Sequence, residues 1–179
     1  SRDNCIINKA TKTLVRGCKT SIIPADGSVE IIGIHAFRGV VGLKNIVIPD
    51  CIKVIGVNAF SLCRDLESIV LPAGLEKMEF FAFDGCQKLI SVDLNGLEVV
   101  PMNAFYSCSK LAEVKGIENV TEIGDYAFAF CHALENFTLG KGLKKIGKGA
   151  LSDTVYSINY EGTMAEWNAI EKGERWNGY

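Results

Sequence analysis

The dipeptide Ala-Phe returns along this chain as Ala36-Phe37, Ala59-Phe60, Ala82-Phe83, Ala104-Phe105 and Ala127-Phe128, then weakens to Ala150-Leu151. The steps are 23, 23, 22, 23 and 23 residues. A period of roughly 20–50 residues marks a stacked array, because a unit this small cannot bury its own apolar side. Each unit must therefore cover its neighbours, and the period predicts a solenoid with special units at both ends.

Aligned on Phe, the other positions fall into register. Cys63, Cys86, Cys108 and Cys131 each follow a repeat Phe by three residues, and Leu43, Leu66, Leu89, Leu111 and Leu134 come three later. Next come Ile46, Ile69, Val92, Val114 and Phe137, and two residues on Ile48, Leu71, Leu94 and Leu139. The Leu-x-x-Ile-x-Ile segment alternates at its end, which predicts a short strand with one buried face. Pro49 or Pro72 ends it, having no N–H to give to a ladder. After the turn stand apolar pairs such as Ile52 and Ile55, Leu97 and Val100, or Leu143 and Ile146, followed in three units by Gly56, Gly124 and Gly147. Gly-x-x-Ala-Phe-x-x-Cys reads as a tight turn entering about one helical turn, since Phe and Cys three apart share a face. The 22-residue step traces to one residue missing near Asn95-Gly96, which is expected to tighten that loop and leave the core row in place.

Both ends depart from the frame. Two short apolar runs around Asn8–Lys12 predict an N-terminal hairpin, followed by a degenerate unit at Ile22-Ile23-Pro24, Val29 and Ile32-Gly33. Thr163-Met164-Ala165-Glu166 fits a capping box. It is expected to open a helix through about Lys172 with Gly173 as its stop. Trp167 and Trp176 are suited to covering the last coil. The expected organisation is residues 1–33 as hairpin cap and degenerate repeat, 34–160 as the array, and 161–179 as a helical cap.

The chemistry-bearing residues do not converge. Four cysteines sit one per coil, whereas metal sites need ligands a few residues apart and directed at one point. Free Cys packs as a small hydrophobe, and the four read as a row in the interior. Cys5, Cys18 and Cys51 lie off that row, and a Cys5–Cys18 bridge stays open if the chain is exported. His35 and His132 occupy different slots in distant coils. The run GKGLKKIGKG (140–149) lacks the Lys-Ser/Thr and the following long helix of a phosphate loop. Catalytic residues, metal ligands and cofactors are thus not indicated. With 19 Lys+Arg against 21 Asp+Glu, no global positive field favours nucleic acid. No apolar run is long enough to insert in a membrane. The chain starts Ser1-Arg2-Asp3-Asn4, as expected of a mature or trimmed chain.

The full pattern, clearest in Val54-Ile55-Gly56-Val57-Asn58-Ala59-Phe60-Ser61-Leu62-Cys63 through Leu66, Ile69, Leu71 and Pro72, resembles the BspA-like leucine-rich repeat family of bacterial surface and secreted proteins. The terminal YEGTMAEWNAIEKGERWNGY is similar to tails that close such arrays. The resemblance implies a right-handed leucine-rich repeat solenoid of about five full 22–23-residue repeats plus degenerate end repeats, with short strands and one-turn helices. It also implies export or surface display and a non-enzymatic role in adhesion or other protein contacts. The alternative is a spacer or scaffold region within a larger protein.

Such a module is expected to bind through the exposed side of its strand ladder. The outward residues there are Asn45 and Val47, Ser68 and Val70, Ser91 and Asp93, Glu113 and Lys115, and Asn136 and Thr138. The partner would be a protein or a glycan, although this face lacks the aromatic and Arg anchors of tight interfaces.

Overall fold

The computed structural model describes residues 3–154 and 157–178. Every coil of the solenoid has three sides, and each side stacks on the same side of the next coil. On the first side the predicted hairpin forms: Ile6–Asn8 runs antiparallel to Thr13–Arg16. From there the stack is parallel, with Thr13 facing Ile31, Ile31 facing Val54, and Val54 facing Lys77. A second sheet on this side registers Val99, Glu122, Lys145 and Glu171. The strands are only two residues long here, because Ile32, Ile55, Met78, Val100, Ile123 and Ile146 each bury one side chain before the chain turns.

The second side carries the alternating segments. Ser68–Val70, Ser91–Asp93 and Glu113–Lys115 form one parallel sheet, and Asn136–Leu139 pairs with Ser157–Tyr160 in another. Within them Ile69, Val92, Phe137 and Leu139 are buried and their neighbours face out.

The third side is the Ala-Phe segment, and here the structure differs from the expected helical turn. In the second coil the N–H groups of Asn58, Phe60 and Leu62 donate to carbonyls of Phe80, Ala82 and Asp84 in the next coil, at 3.1, 2.8 and 2.7 Å. The alternate N–H groups of Ala59, Ser61 and Cys63 close turns onto Gly56, Asn58 and Phe60. A helix directs all its N–H groups along its own axis, so it could not serve this inter-coil ladder. The backbone alternates instead by entering the left-handed region twice per coil: Asn58 at φ 55 and Leu62 at φ 60, Phe81 and Gly85, Asn103 and Ser107, Tyr126 and Phe130.

Inside these three sides, five phenylalanine rings stack nearly parallel. Successive centroids from Phe37 to Phe60, Phe83, Phe105 and Phe128 are 5.0, 5.2, 5.5 and 5.3 Å apart. Gly17 leaves room for the first ring, since a Cβ there would stand 2.1 Å from Phe37. The cysteine row is buried, as expected of small hydrophobes, but each thiol also has a polar task. Cys63, Cys86, Cys108 and Cys131 donate to the carbonyls of Phe37, Phe60, Phe83 and Phe105 in the preceding coil, at 3.0–3.3 Å. In the sixth coil Thr154 takes that slot and its hydroxyl donates to the Phe128 carbonyl.

The C-terminal helix is shorter than expected. Thr163 and Glu166 form the capping box, yet the helix spans only Met164–Ala169. Ile170 is buried, Glu171–Lys172 rejoin the stack on Lys145–Ile146, and the Gly173 N–H donates to the Ile146 carbonyl at 2.8 Å. Gly173 thus fits a close approach between coils and not a helix stop. Trp167 packs edge-on to Trp176 at 5.7 Å and lies beside Tyr160, closing the end of the core.

The shortened coil keeps its core row, since Leu97 and Val100 stay buried. Its first side does not follow. Lys77–Met78 and Val99–Val100 belong to different sheets, so the stack is interrupted there.

Candidate functional site

The outward side of the alternating strands presents two columns. Register aligns Ser68, Ser91 and Glu113 in one and Val70, Asp93 and Lys115 in the other. Further along, Asn136 faces Ser157, and Thr138 faces Asn159. Of the ten residues expected on this surface, Asn45, Val47, Ser68, Val70, Glu113, Lys115, Asn136 and Thr138 are exposed, while Ser91 and Asp93 are half-buried. The Asp93 carboxylate accepts from the Asn95 N–H at 2.9 Å, which holds it against its own turn. Lys115 lies 3.9 Å from Glu113 on the open surface, where such a pair is weak.

The structure brings these residues together in two blocks. Ser68 to Lys115 lie on one sheet and Asn136 and Thr138 on another. Asn45 and Val47 lie in neither, because residues 44–48 form no strand and meet the next coil through a Glu67 N–H to Lys44 carbonyl bond at 2.9 Å.

One feature of the face was not anticipated. At its N-terminal end Ile22, Val47 and Val70 are 68, 82 and 59% exposed, which makes an aliphatic ridge. A hollow of about 660 Å³ runs between the first two, lined also by Ile23, Ile46 and Pro49. The signal was in the sequence: Ile22-Ile23-Pro24 repeats the order of Val47-Ile48-Pro49 and Val70-Leu71-Pro72.

Nothing resembling a catalytic constellation accompanies these columns. His35 and His132 are exposed in separate coils, and the His132 ring meets the Asp153 carbonyl at 3.1 Å. Burial pushes the thiols of Cys63 and Cys131 up to about 12, and raises Cys108 well above its ordinary value. Neutral, enclosed thiols are poor nucleophiles. Cys18 differs: it is exposed and its pKa is lowered, chiefly by the Thr20 hydroxyl 3.3 Å away. All seven cysteines are free thiols. Among the described residues no group of three or more His, Cys, Asp or Glu could hold a metal ion, and no helix is long and apolar enough to cross a membrane.

Parallel three-sided coils, stacked rings and a registered outer ladder define a repeat solenoid. The profile of the BspA type leucine rich repeat region matches residues 17–158 in six copies, and the chain belongs to that family. Among solved structures, it is similar to the leucine-rich repeat protein of T. pallidum, with a TM-score of 0.82 and 25% identity over 97% of this chain and 85% of that one. A leucine-rich repeat protein from Eubacterium ventriosum has the same fold, with a TM-score of 0.79 at 19% identity. That match covers 99% of this chain, which spans about half (49%) of the Eubacterium chain. No curated protein sequence matches this one.

Proposed function

We propose that this chain is a non-enzymatic interaction module, exported or displayed at a bacterial surface, that binds a protein or glycan through its outer ladder in adhesion or matrix contact. One observation carries the reading: residues from successive coils stand in fixed register on one face, so an extended partner can be met by several coils at once. Family membership supports the setting, since proteins of this type are typically surface or secreted. The aliphatic ridge supplies apolar area of the kind that interfaces bury at their centres.

The test is a binding screen of the purified chain against immobilised extracellular-matrix proteins and glycans, run beside the triple variant Asn45→Glu, Ser68→Glu and Ser91→Glu. These positions lie outside the core, so the variant is expected to keep the parent's circular dichroism and lose the bound partner. Undiminished binding by the triple variant would place the contact elsewhere. Failure to bind any surface would favour a spacer role. Protease accessibility on intact cells checks the surface setting.

A further inference from the structure

On the first side of the coils a column of glycines keeps the stack closed. Gly33, Gly56, Gly124, Gly147 and Gly173 donate their N–H groups to the preceding coil at 2.7–2.8 Å. A Cβ at Gly124 would come within 2.5 Å of backbone below it, so the approach at that coil requires the bare residue, whereas Glu79 fills the same slot in the third coil and still donates to the Ile55 carbonyl at 2.9 Å. Pro101 stands in this column, four residues before its Phe as Gly56 and Gly124 are before theirs. It has no N–H to donate, and its ring occupies the space where a hydrogen bond would run. The same coil is one residue short. Among the described residues, no backbone bond joins Glu76–Glu79 to Glu98–Pro101.

The other two sides hold. Ser91 still faces Glu113, and the Phe83 and Phe105 rings remain stacked, at the widest spacing of the series, 5.5 Å. The coils therefore part as a wedge that opens on one side only. The opening is a cleft of about 550 Å³ with Leu75, Met78, Phe80, Leu97 and Val99 in its walls. Phe80 and Val99 are 46 and 45% exposed.

Its rim offers two things that a hydrophobic hollow alone would not. The carbonyls of Glu76 and Met78 lack donors from the next coil, and the N–H groups of Glu98 and Val99 lack the acceptors that their counterparts Thr121 and Glu122 find at Glu98. Three carboxylates also line the cleft, at Glu76, Glu79 and Glu98, against one lysine, Lys77. Glu76 is paired with Lys53 at 3.3 Å and Glu79 with Lys77 at 2.6 Å, whereas Glu98 makes no ion pair among the described residues.

We propose that this cleft is a docking slot for an extended, basic peptide segment. The segment's backbone bonds to the open strand edges, a Lys or Arg meets Glu98, and an alternate aliphatic side chain enters between Phe80 and Val99. Open edges with side-chain pockets are the requirements of strand-addition recognition, and the volume lies within the roughly 300–1,000 Å³ of ligand sites. The slot and the outer ladder occupy different sides of the coil, so either proposal can fail alone.

The experiment uses three fluorescein-labelled, end-blocked synthetic peptides titrated into the chain by fluorescence anisotropy. They are Lys-Val-Lys-Val-Lys, its acidic counterpart Glu-Val-Glu-Val-Glu, and the basic peptide with alternate backbone amides methylated. Only the unmodified basic peptide is expected to bind. Glu98→Lys, an exposed change that leaves the fold intact by circular dichroism, is expected to weaken it by about tenfold or more, as charge reversal at a complementary contact does. Pro101→Gly, which restores the missing donor and lets the coils close, is expected to abolish it. Absence of binding, equal binding of the acidic or methylated peptide, or indifference to both substitutions would overturn the proposal.

Discussion

Replacing Phe83 by Ala tests the view that the ring stack, and not each coil separately, holds the array together. Phe83 is fully buried and flanked on both faces, by Phe60 at 5.2 Å and Phe105 at 5.5 Å. Truncating a buried Phe costs about 3–5 kcal/mol. Phe37 is equally buried but has a ring on one side only, Phe60 at 5.0 Å, with Gly17 on the other. Phe83→Ala thus loses one more stacked pair than Phe37→Ala, a difference of about 0.5–1.5 kcal/mol. Domain stabilities are only about 5–15 kcal/mol, so the central variant is expected near the edge of folding. Phe83→Leu, which copies the sixth coil's Leu151, is expected to cost less than Phe83→Ala. Urea unfolding followed by far-ultraviolet circular dichroism reports the whole array, and Trp167 and Trp176 fluorescence reports its C-terminal end. A central cavity should also separate the two transitions, because coupling in a stack passes through nearest neighbours. The reasoning is refuted if Phe83→Ala costs no more than Phe37→Ala, or if either costs less than about 2 kcal/mol.

Gly124→Ala, whose Cβ would press on the Met102 N–H at 2.5 Å, is expected to cost about 1–3 kcal/mol by overpacking. Gly142→Ala, with nothing within 4 Å, is the control and should leave the urea midpoint unchanged. Thr163→Ala removes the hydroxyl that accepts from the Glu166 N–H, while the Thr163 backbone N–H to Glu166 carboxylate half of the capping box stays, and should destabilise the terminal helix by about 0.5–2 kcal/mol, read by Trp fluorescence. Two carboxyls give opposite pH signatures in unfolding titrations. Backbone and side-chain bonds from Thr163 lower the Glu166 pKa, so its contribution is present above the unfolded value and lost as pH falls through the folded one. Burial raises that of Asp84, so its penalty grows as pH rises from the unfolded value through the folded one, and Asp84→Asn should relieve it at neutral pH. In thiol titration of the native chain Cys18 should react first, and Cys63, Cys86, Cys108 and Cys131 only after denaturation; early reaction of the ladder thiols would contradict their burial.

The period was legible because packing imposes it: a Phe that must stack on a Phe recurs wherever a coil recurs. Burial of the Leu, Ile and Cys rows followed from that frame alone. The turn geometry was less legible. Asn58, Asn103 and Gly149 are natural in the left-handed region, but Leu62, Phe81 and Phe130 adopt it too, because inter-coil hydrogen bonds outweigh their local preference. Glu171–Lys172 read as helix because a capping box announces where a helix starts and says little about where a neighbouring coil will reclaim the chain. The outward orientation of Ser68 or Lys115 could be read from alternation. The wedge at Pro101 could not, since one residue's missing donor matters only once its place in the glycine column is known.

The division of labour among N–H groups on the Ala-Phe side sets a rule for how such a chain can change its length. Each coil arrives with its outgoing donors already spaced for the next coil and its acceptors spaced for the preceding one. A duplicated coil would find every partner waiting, so growth or loss by whole units leaves the architecture coherent. A single inserted residue inside the Ala-Phe segment would exchange the two sets of donors, sending turn bonds along the stack and stack bonds into the turn. Only the corners between sides can absorb a change of one residue, as the corner at Asn95-Gly96 has done, and its cost appears one side away as a parted seam.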